Sequence, residues 1–350
     1  MGRDRHARAA DRPVEVCVDT TYACNLRCIH CNVSCLRDAA RKELSAEELA
    51  ALFAQLRDAG TKRLTLTGGE FLIRPDWQDI AREAAKHFEV HVFTNGVCVT
   101  AIVAAALAAI SPACVEVSIY GASAGTYEQV TQVPGSYRRF REGLRLLTGA
   151  LLPVAPKLIL LRQNIGEWPL MLAEHSQCKD PPSTFVISPR FDGDLGPAAH
   201  RASSEQIEEF LLRRGVKKPR RKLKDPESAV LCDPARKGCV ISAYGDVFPC
   251  GMWPVSGGNL RDAPFADIWR SGFFEEVRRL TLGDAEGCAA CDALPYCRPC
   301  WGLNFLERGD ARLPSPESCR LARLRKLVAE SPRPRRPYPA AVTQPKEGSI

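Results

Sequence analysis

Residues 14–31 read VEVCVDTTYACNLRCIHC: a short apolar run, Val14 to Asp19, that opens into a loop carrying Cys24, Cys28 and Cys31. The run is rich in β-branched residues and has the length of a buried strand. The loop has the spacing C-x3-C-x2-C. Three thiolates on one loop can hold three irons of a cubane cluster and leave the fourth open, a place for chemistry rather than a brace for the fold. A structural zinc ion would need a fourth Cys or His, which His30 or Cys35 could supply.

Further apolar, β-branched runs follow at Arg63 to Thr67, Val90 to Thr94, Val115 to Ile119, Leu158 to Leu161 and Phe185 to Ser188. Each reads as a buried parallel strand. Helical patterns lie between them: Ser45 to Asp58, where Ser45 and Glu48 form a capping box, then Pro75 to His87, Val99 to Ile110, Ser136 to Leu147 and Glu167 to His175. Six alternations predict an α/β fold, a partial (β/α)6 TIM-type barrel followed by a small cysteine-rich domain. Its working site belongs at the carboxyl ends of the strands. Asn25, Gly68, Gly69, Glu70, Asn95, Gly96, Ser118 and Tyr120 all fall there and are expected to face one mouth.

The chain has 350 residues, 45% of them hydrophobic and 25% charged, enough for one large core or a core plus a module. No charged-then-apolar signal segment begins it, and its most apolar stretch, Val99 to Ile110, is shorter than the roughly 20 residues that span a bilayer. The reading is a cytoplasmic protein with no membrane partner. Part of the net charge of +7 is local: Arg213, Arg214, Lys217, Lys218, Arg220, Arg221, Lys222 and Lys224 crowd one stretch, and Arg333, Arg335 and Arg336 mark a Pro-rich tail. That basic stretch reads as a solvated linker or as a dock for an acidic peptide. Without interleaved aromatics it does not suggest nucleic acid.

Of the sixteen cysteines, a second group gathers late: Cys232, Cys239, Cys250, Cys288, Cys291, Cys297, Cys300 and Cys319. Clustered cysteines in a long cytosolic chain point to metal or redox cofactors. Cys17, Cys98 and Cys114 sit in or beside apolar runs and read as small core residues, Cys178 stays unassigned, and Cys35 lies just past the cluster loop. The expected boundaries are 1–13 disordered, 14–212 barrel, 213–227 basic linker, 228–325 cysteine-rich domain and 326–350 tail.

The loop Cys24 to Cys31, followed by Thr67-Gly68-Gly69-Glu70, resembles the radical S-adenosylmethionine (SAM) superfamily over roughly residues 14 to 190. The resemblance implies that Cys24, Cys28 and Cys31 ligate a catalytic [4Fe-4S] cluster whose open iron is chelated by the amino and carboxylate groups of SAM. It implies that Gly68, Gly69 and Glu70 hold the amino end, that His30 packs near the adenine, and that Asn95 and Ser118 contact the ribose. Capping of the strand-to-helix turns is the plainer role for those last two.

The late cysteines resemble the SPASM auxiliary-cluster domain of the same superfamily, with a two-residue gap between Cys297 and Cys300 where three is usual. By that resemblance Cys232, Cys239, Cys250 and Cys300 hold one auxiliary [4Fe-4S] cluster. Cys288, Cys291, Cys297 and Cys319 hold a second, with a pair of zinc ribbons as the alternative. The implied activity is generation of a 5′-deoxyadenosyl radical to modify a ribosomally made precursor peptide by oxidative cross-link, thioether formation or epimerisation. Alternatives are a radical enzyme acting on a small molecule and a non-catalytic iron–sulfur sensor. Implied partners are an electron donor such as ferredoxin or flavodoxin and a separate leader-recognition protein, since only about a dozen polar residues precede Val14. Gly251 stands where sulfatase maturases carry a catalytic Asp.

Overall fold

The computed structural model describes residues 12–173, 183–184, 186–216, 223–230, 232 and 235–331. Residues 1–11, Cys178, Lys217, Lys218, Arg220 to Lys222 and the tail from 332 lie outside the described residues, so the expectations placed on them are not taken further.

In chain order the elements are β1 (Glu15–Thr21), α1 (Ala46–Ala59), β2 (Arg63–Gly68), α2 (Trp77–Ala85), β3 (Glu89–Thr94), α3 (Ala101–Ile110), β4 (Cys114–Ile119), α4 (Ala124–Thr131), α5 (Ser136–Gly149), β5 (Val154–Ile159), α6 (Trp168–Ala173), β6 (Ser183–Thr184), α7 (Ser204–Arg214), β7 (Gly238–Ile241), β8 (Val247–Phe248), α8 (Phe265–Trp269), α9 (Gly272–Arg279), α10 (Trp301–Arg308) and α11 (Pro316–Glu330). The sheet order is β6-β5-β4-β3-β2-β1-β7-β8, and neighbours from β6 to β1 run parallel. This is the partial barrel expected from the alternation.

Strand alternation divides the two faces. Val16, Val18, Leu64, Leu66, Val90, Val92, Val115 and Val117 are buried in the core that includes the helices' apolar residues. Their neighbours Cys17, Asp19, Thr65, His91, Phe93, Glu116 and Ser118 point the other way, into the lumen, because successive side chains in a strand alternate. Local signals set the helix starts. Ser45 caps α1 with the expected capping box to Glu48, and Thr100 accepts from Val103 N at the start of α3.

Two strands depart from their expected places. The fifth was read at Leu158 to Leu161 and runs Val154–Ile159, through Pro156. A proline is tolerated there because β6 joins β5 only from Leu158 onward, which leaves Pro156 with a strand neighbour on the β4 side alone. The sixth was read at Phe185 to Ser188. The strand lies at Ser183–Thr184, and Phe185 is outside the described residues.

The cysteine-rich part continues the barrel's own sheet. β7 pairs parallel with β1, Val16 opposite Cys239 and Val18 opposite Ile241, and β8 pairs back antiparallel. A buried ion pair adds a second join: Arg201, before α7, meets Glu307 of α10 at 2.5 Å, and Glu307 is 5% exposed. Among the described residues no helix is long and apolar enough to cross a membrane.

Candidate active site

The cysteine loop is held at both sides by backbone. Gly69 N donates to Thr21 O at 2.7 Å and Glu70 N to Ala23 O at 2.9 Å, so the end of β2 grips the residues just before Cys24. On the far side Arg27 N donates to Thr131 O and Ile29 N to Val130 O, both at 3.0 Å. These carbonyls belong to α4, a helix the sequence reading did not include. Leu26 anchors the middle of the loop in the core, 6% exposed.

The grip gives the glycine pair a packing reason beside the role at the amino end of SAM that the resemblance implies. A Cβ on Gly68 would stand 2.2 Å from Thr21 O, and one on Gly69 2.3 Å from Ala23 O. Gly68 also has φ +131°, a region that favours glycine. Both residues are glycine because two backbone segments touch there.

Glu70 is 2% exposed and stands at the wall of the cavity. Its Oε1 accepts from Leu72 N at 3.1 Å and its Oε2 from Asn95 N at 2.7 Å. Burial pushes its carboxyl up to about 7, and those two backbone donors only partly offset it. Among the described residues it has no ion-pair partner. Asn95, expected at a ribose, has its side chain engaged within the protein: Nδ2 donates to Asn25 Oδ1 at 2.7 Å and Oδ1 accepts from Val97 N at 2.9 Å.

These residues line a cavity of about 740 Å³ at the carboxyl ends of the strands. It brings together Cys24, Cys28, Cys31, His30, Gly68, Gly69, Glu70, Asn95 and Ser118, every candidate of the first motif and of the cofactor set. It adds Arg190 and His200, which arrive from the irregular stretch after β6. No periodicity or motif marked either in the sequence.

The donor set fits an iron–sulfur cluster better than a single ion. Among the described residues, Cys24, Cys28 and Cys31 do not form a set whose ligand atoms all lie within 4.8 Å, as one ion would need. Yet they are close enough to affect one another. Burial raises the Cys24 thiol to about 11 and the Cys28 thiol further, and the charge of Cys31 adds to both. A bound cation is what would let such thiols ionise together. Leu26 N already donates to Cys24 Sγ at 3.4 Å. For SAM, the fit lies in the uncompensated carboxyl of Glu70 and in His30, a cavity residue whose buried Nδ1 has no protein partner. Burial lowers the His30 imidazole to about 4, so it lines the site as a neutral ring, 5.2 Å from that of Tyr120.

The late cysteines form two electrostatic groups. Burial, with the charges of Cys300 and Cys232 adding to it, raises Cys250 to about 12. Burial likewise raises Cys297 to about 12, with Cys319, Cys288 and Cys291 adding to it. Cys300 caps α10, its Sγ accepting from Leu303 N at 3.5 Å, where the helix end favours a thiolate. The structure does not bring Cys239 to the first of these groups. Cys239 stands opposite Val16 of β1, among the buried residues of the core, and none of Cys232, Cys250 and Cys300 acts on its thiol. Its thiol is buried beside Arg278, and its charge is felt at Cys17.

Residues 18–172 match the family model of the radical SAM superfamily, and residues 232–301 match that of the SPASM iron–sulfur cluster-binding domain. The chain is 27% identical to an AdoMet-dependent heme synthase of Methanosarcina barkeri, over 83% of this chain and 92% of the relative. It is also 27% identical to the mycofactocin maturase MftC of Mycobacterium tuberculosis, over 95% and 90%. Its fold is similar to SuiB of Streptococcus suis, solved bound to the precursor peptide SuiA, with TM-score 0.67 and 14% identity over 88% of this chain and 76% of that one.

Proposed function

From a chain that belongs to the radical SAM superfamily and carries a SPASM iron–sulfur domain, we propose an enzyme that modifies a ribosomally made precursor peptide. The observation that carries the reading is the match to the mycofactocin maturase along 95% of the chain, together with the SPASM match over residues 232–301. When bound, the cluster and SAM supply a 5′-deoxyadenosyl radical that removes a hydrogen atom from the substrate.

The chain's own residues hold and shield that chemistry. Cys24, Cys28 and Cys31 would hold the catalytic cluster, and Glu70 would receive an ammonium group, whose charge restores the ionised carboxylate that burial disfavours. Tyr120 lines the cavity with Ser118, and the ring of the fully buried Tyr127 lies 5.6 Å from that of Tyr120, so this wall is closed to water. The lumen below is lined by Asp19, Glu116 and Lys157 rather than by the branched apolar side chains of a filled barrel, which leaves polar groups to orient a substrate. Cys250 with Cys232 and Cys300, and Cys297 with Cys288, Cys291 and Cys319, would hold the auxiliary clusters. Electrons would come from a ferredoxin or flavodoxin, and the leader would be presented by a separate protein.

The test is anaerobic incubation of reconstituted protein with SAM, a reductant and candidate peptides encoded beside the gene. Mass change of a peptide together with 5′-deoxyadenosine supports the reading. Turnover of a small molecule with every peptide unchanged replaces it with the small-molecule alternative, which the equal identity to the heme synthase keeps in view.

A further inference from the structure

We propose a mononuclear zinc site at the amino-terminal end of the barrel lumen, held by His91, Cys114 and Glu116, away from the cysteine loop. Strand register builds it. His91 of β3 stands directly opposite Cys114 of β4, and Glu116 follows two residues on, so all three project from one face of two adjacent parallel strands. One ligand atom from each lies within 4.8 Å of the other two. Among the described residues this is the only set of three histidine, cysteine or carboxylate groups that converges so closely.

The distances fit an ion better than hydrogen bonds. His91 Nδ1 lies 3.5 Å from Glu116 Oε1, long for a hydrogen bond. Two ligands of a tetrahedral zinc ion, at bond lengths near 2.1 Å, stand about 3.4 Å apart. The other ring nitrogen, Nε2, faces Glu89 Oε1 at 3.5 Å. That is the arrangement in which a carboxylate orients a zinc-bound histidine through its remote N–H.

Lys157 is the cation that would compete, and its geometry leaves room. It pairs with Glu116 through Oε2, the oxygen turned away from His91, and its ammonium also lies 3.7 Å over the Phe93 ring. One carboxylate can then serve the ammonium with one oxygen and the ion with the other. The remaining charged neighbour, Arg63, is engaged by Glu15 at 2.7 Å and faces Glu89 at 3.8 Å. A histidine, a thiolate and one carboxylate oxygen suit zinc in preference to magnesium or calcium, with water completing the shell.

The test uses anaerobically reconstituted full-length protein equilibrated with zinc, with metal analysis and zinc-edge X-ray absorption as readouts. Expected is one zinc per chain beyond the iron, in a shell of one sulfur with nitrogen and oxygen. His91→Ala and Cys114→Ala should each lose it without losing iron. Glu89→Gln, at an exposed position that cannot upset the core, should weaken it about tenfold. No bound zinc, zinc retained in both ligand variants, or a sulfur-only shell that places the ion in an unfilled cluster site would each overturn the proposal.

Discussion

Asn95 Nδ2 donates to Asn25 Oδ1 at 2.7 Å, tying the loop of three cysteines to the carboxyl end of β3, while Asn95 N donates to Glu70 Oε2 at the end of β2. Three separate stretches of sequence thus meet in one hydrogen-bonded unit. Asn95→Ala should remove about 1–2 kcal/mol from the loop's anchorage. The measurable result is faster loss of iron to a chelator, by several-fold, with the auxiliary irons unaffected. Unchanged chelation kinetics would show that the loop needs no such tie.

The contact between the glycine pair and the residues before Cys24 gives a sharper test. Gly69→Ala places a Cβ 2.3 Å from Ala23 O, a clash with backbone that no side-chain movement relieves. We expect soluble protein lacking about four irons and all SAM cleavage. Gly251→Ala is the control, since its Cβ would meet only Val240 at an ordinary 3.8 Å. Equal iron in both variants would refute the structural role of Gly69.

Cys239 packs in the core while Cys250 feels the charges of Cys300 and Cys232, and iron content distinguishes their roles. Cys250→Ala should lose about four irons. Cys239→Ala should lose none and cost only the packing of a small buried side chain. Loss of four irons from the Cys239 variant would return it to the auxiliary ligands that the SPASM resemblance implied.

What could be read in the sequence was what chemistry or local geometry keeps contiguous. The C-x3-C-x2-C loop is legible because cluster ligands must converge, and Ser45 with Glu48 because a capping box closes within one turn. β5 was read at Leu158 to Leu161 and begins four residues earlier, because Pro156, which cannot donate to a ladder, is harmless where the short partner β6 has not yet joined. Arg190 and His200 were invisible, since they reach the cavity from a stretch with no period. The auxiliary partition came from the SPASM resemblance and not from spacing, and the place of Cys239 depends on which face of a strand it occupies. That in turn depends on the register of β7 against β1, which sets Cys239 opposite Val16 and which spacing does not record.

The last prediction concerns Asp19, whose carboxylate faces the lumen and accepts from Tyr22 OH at 3.2 Å. Burial pushes its carboxyl up to about 7 from the usual 3.8, and the Tyr22 bond only partly opposes this. Its folded-state value thus exceeds the unfolded one, so between those values the native protein binds more protons than the unfolded chain. Stability from this residue must therefore fall as pH rises through the window and level off above pH 7. Asp19→Asn keeps an acceptor for Tyr22 and has no charge to bury. Relative to wild type, the variant should gain about 2–3 kcal/mol between pH 5 and pH 7 and only about 0.4 kcal/mol more by pH 8. Thermal midpoints of the two reconstituted proteins across that range test it: a constant offset would mean that Asp19 is solvated in the lumen, while a gain that grows with pH places a proton there near neutrality, beside the space a substrate would enter.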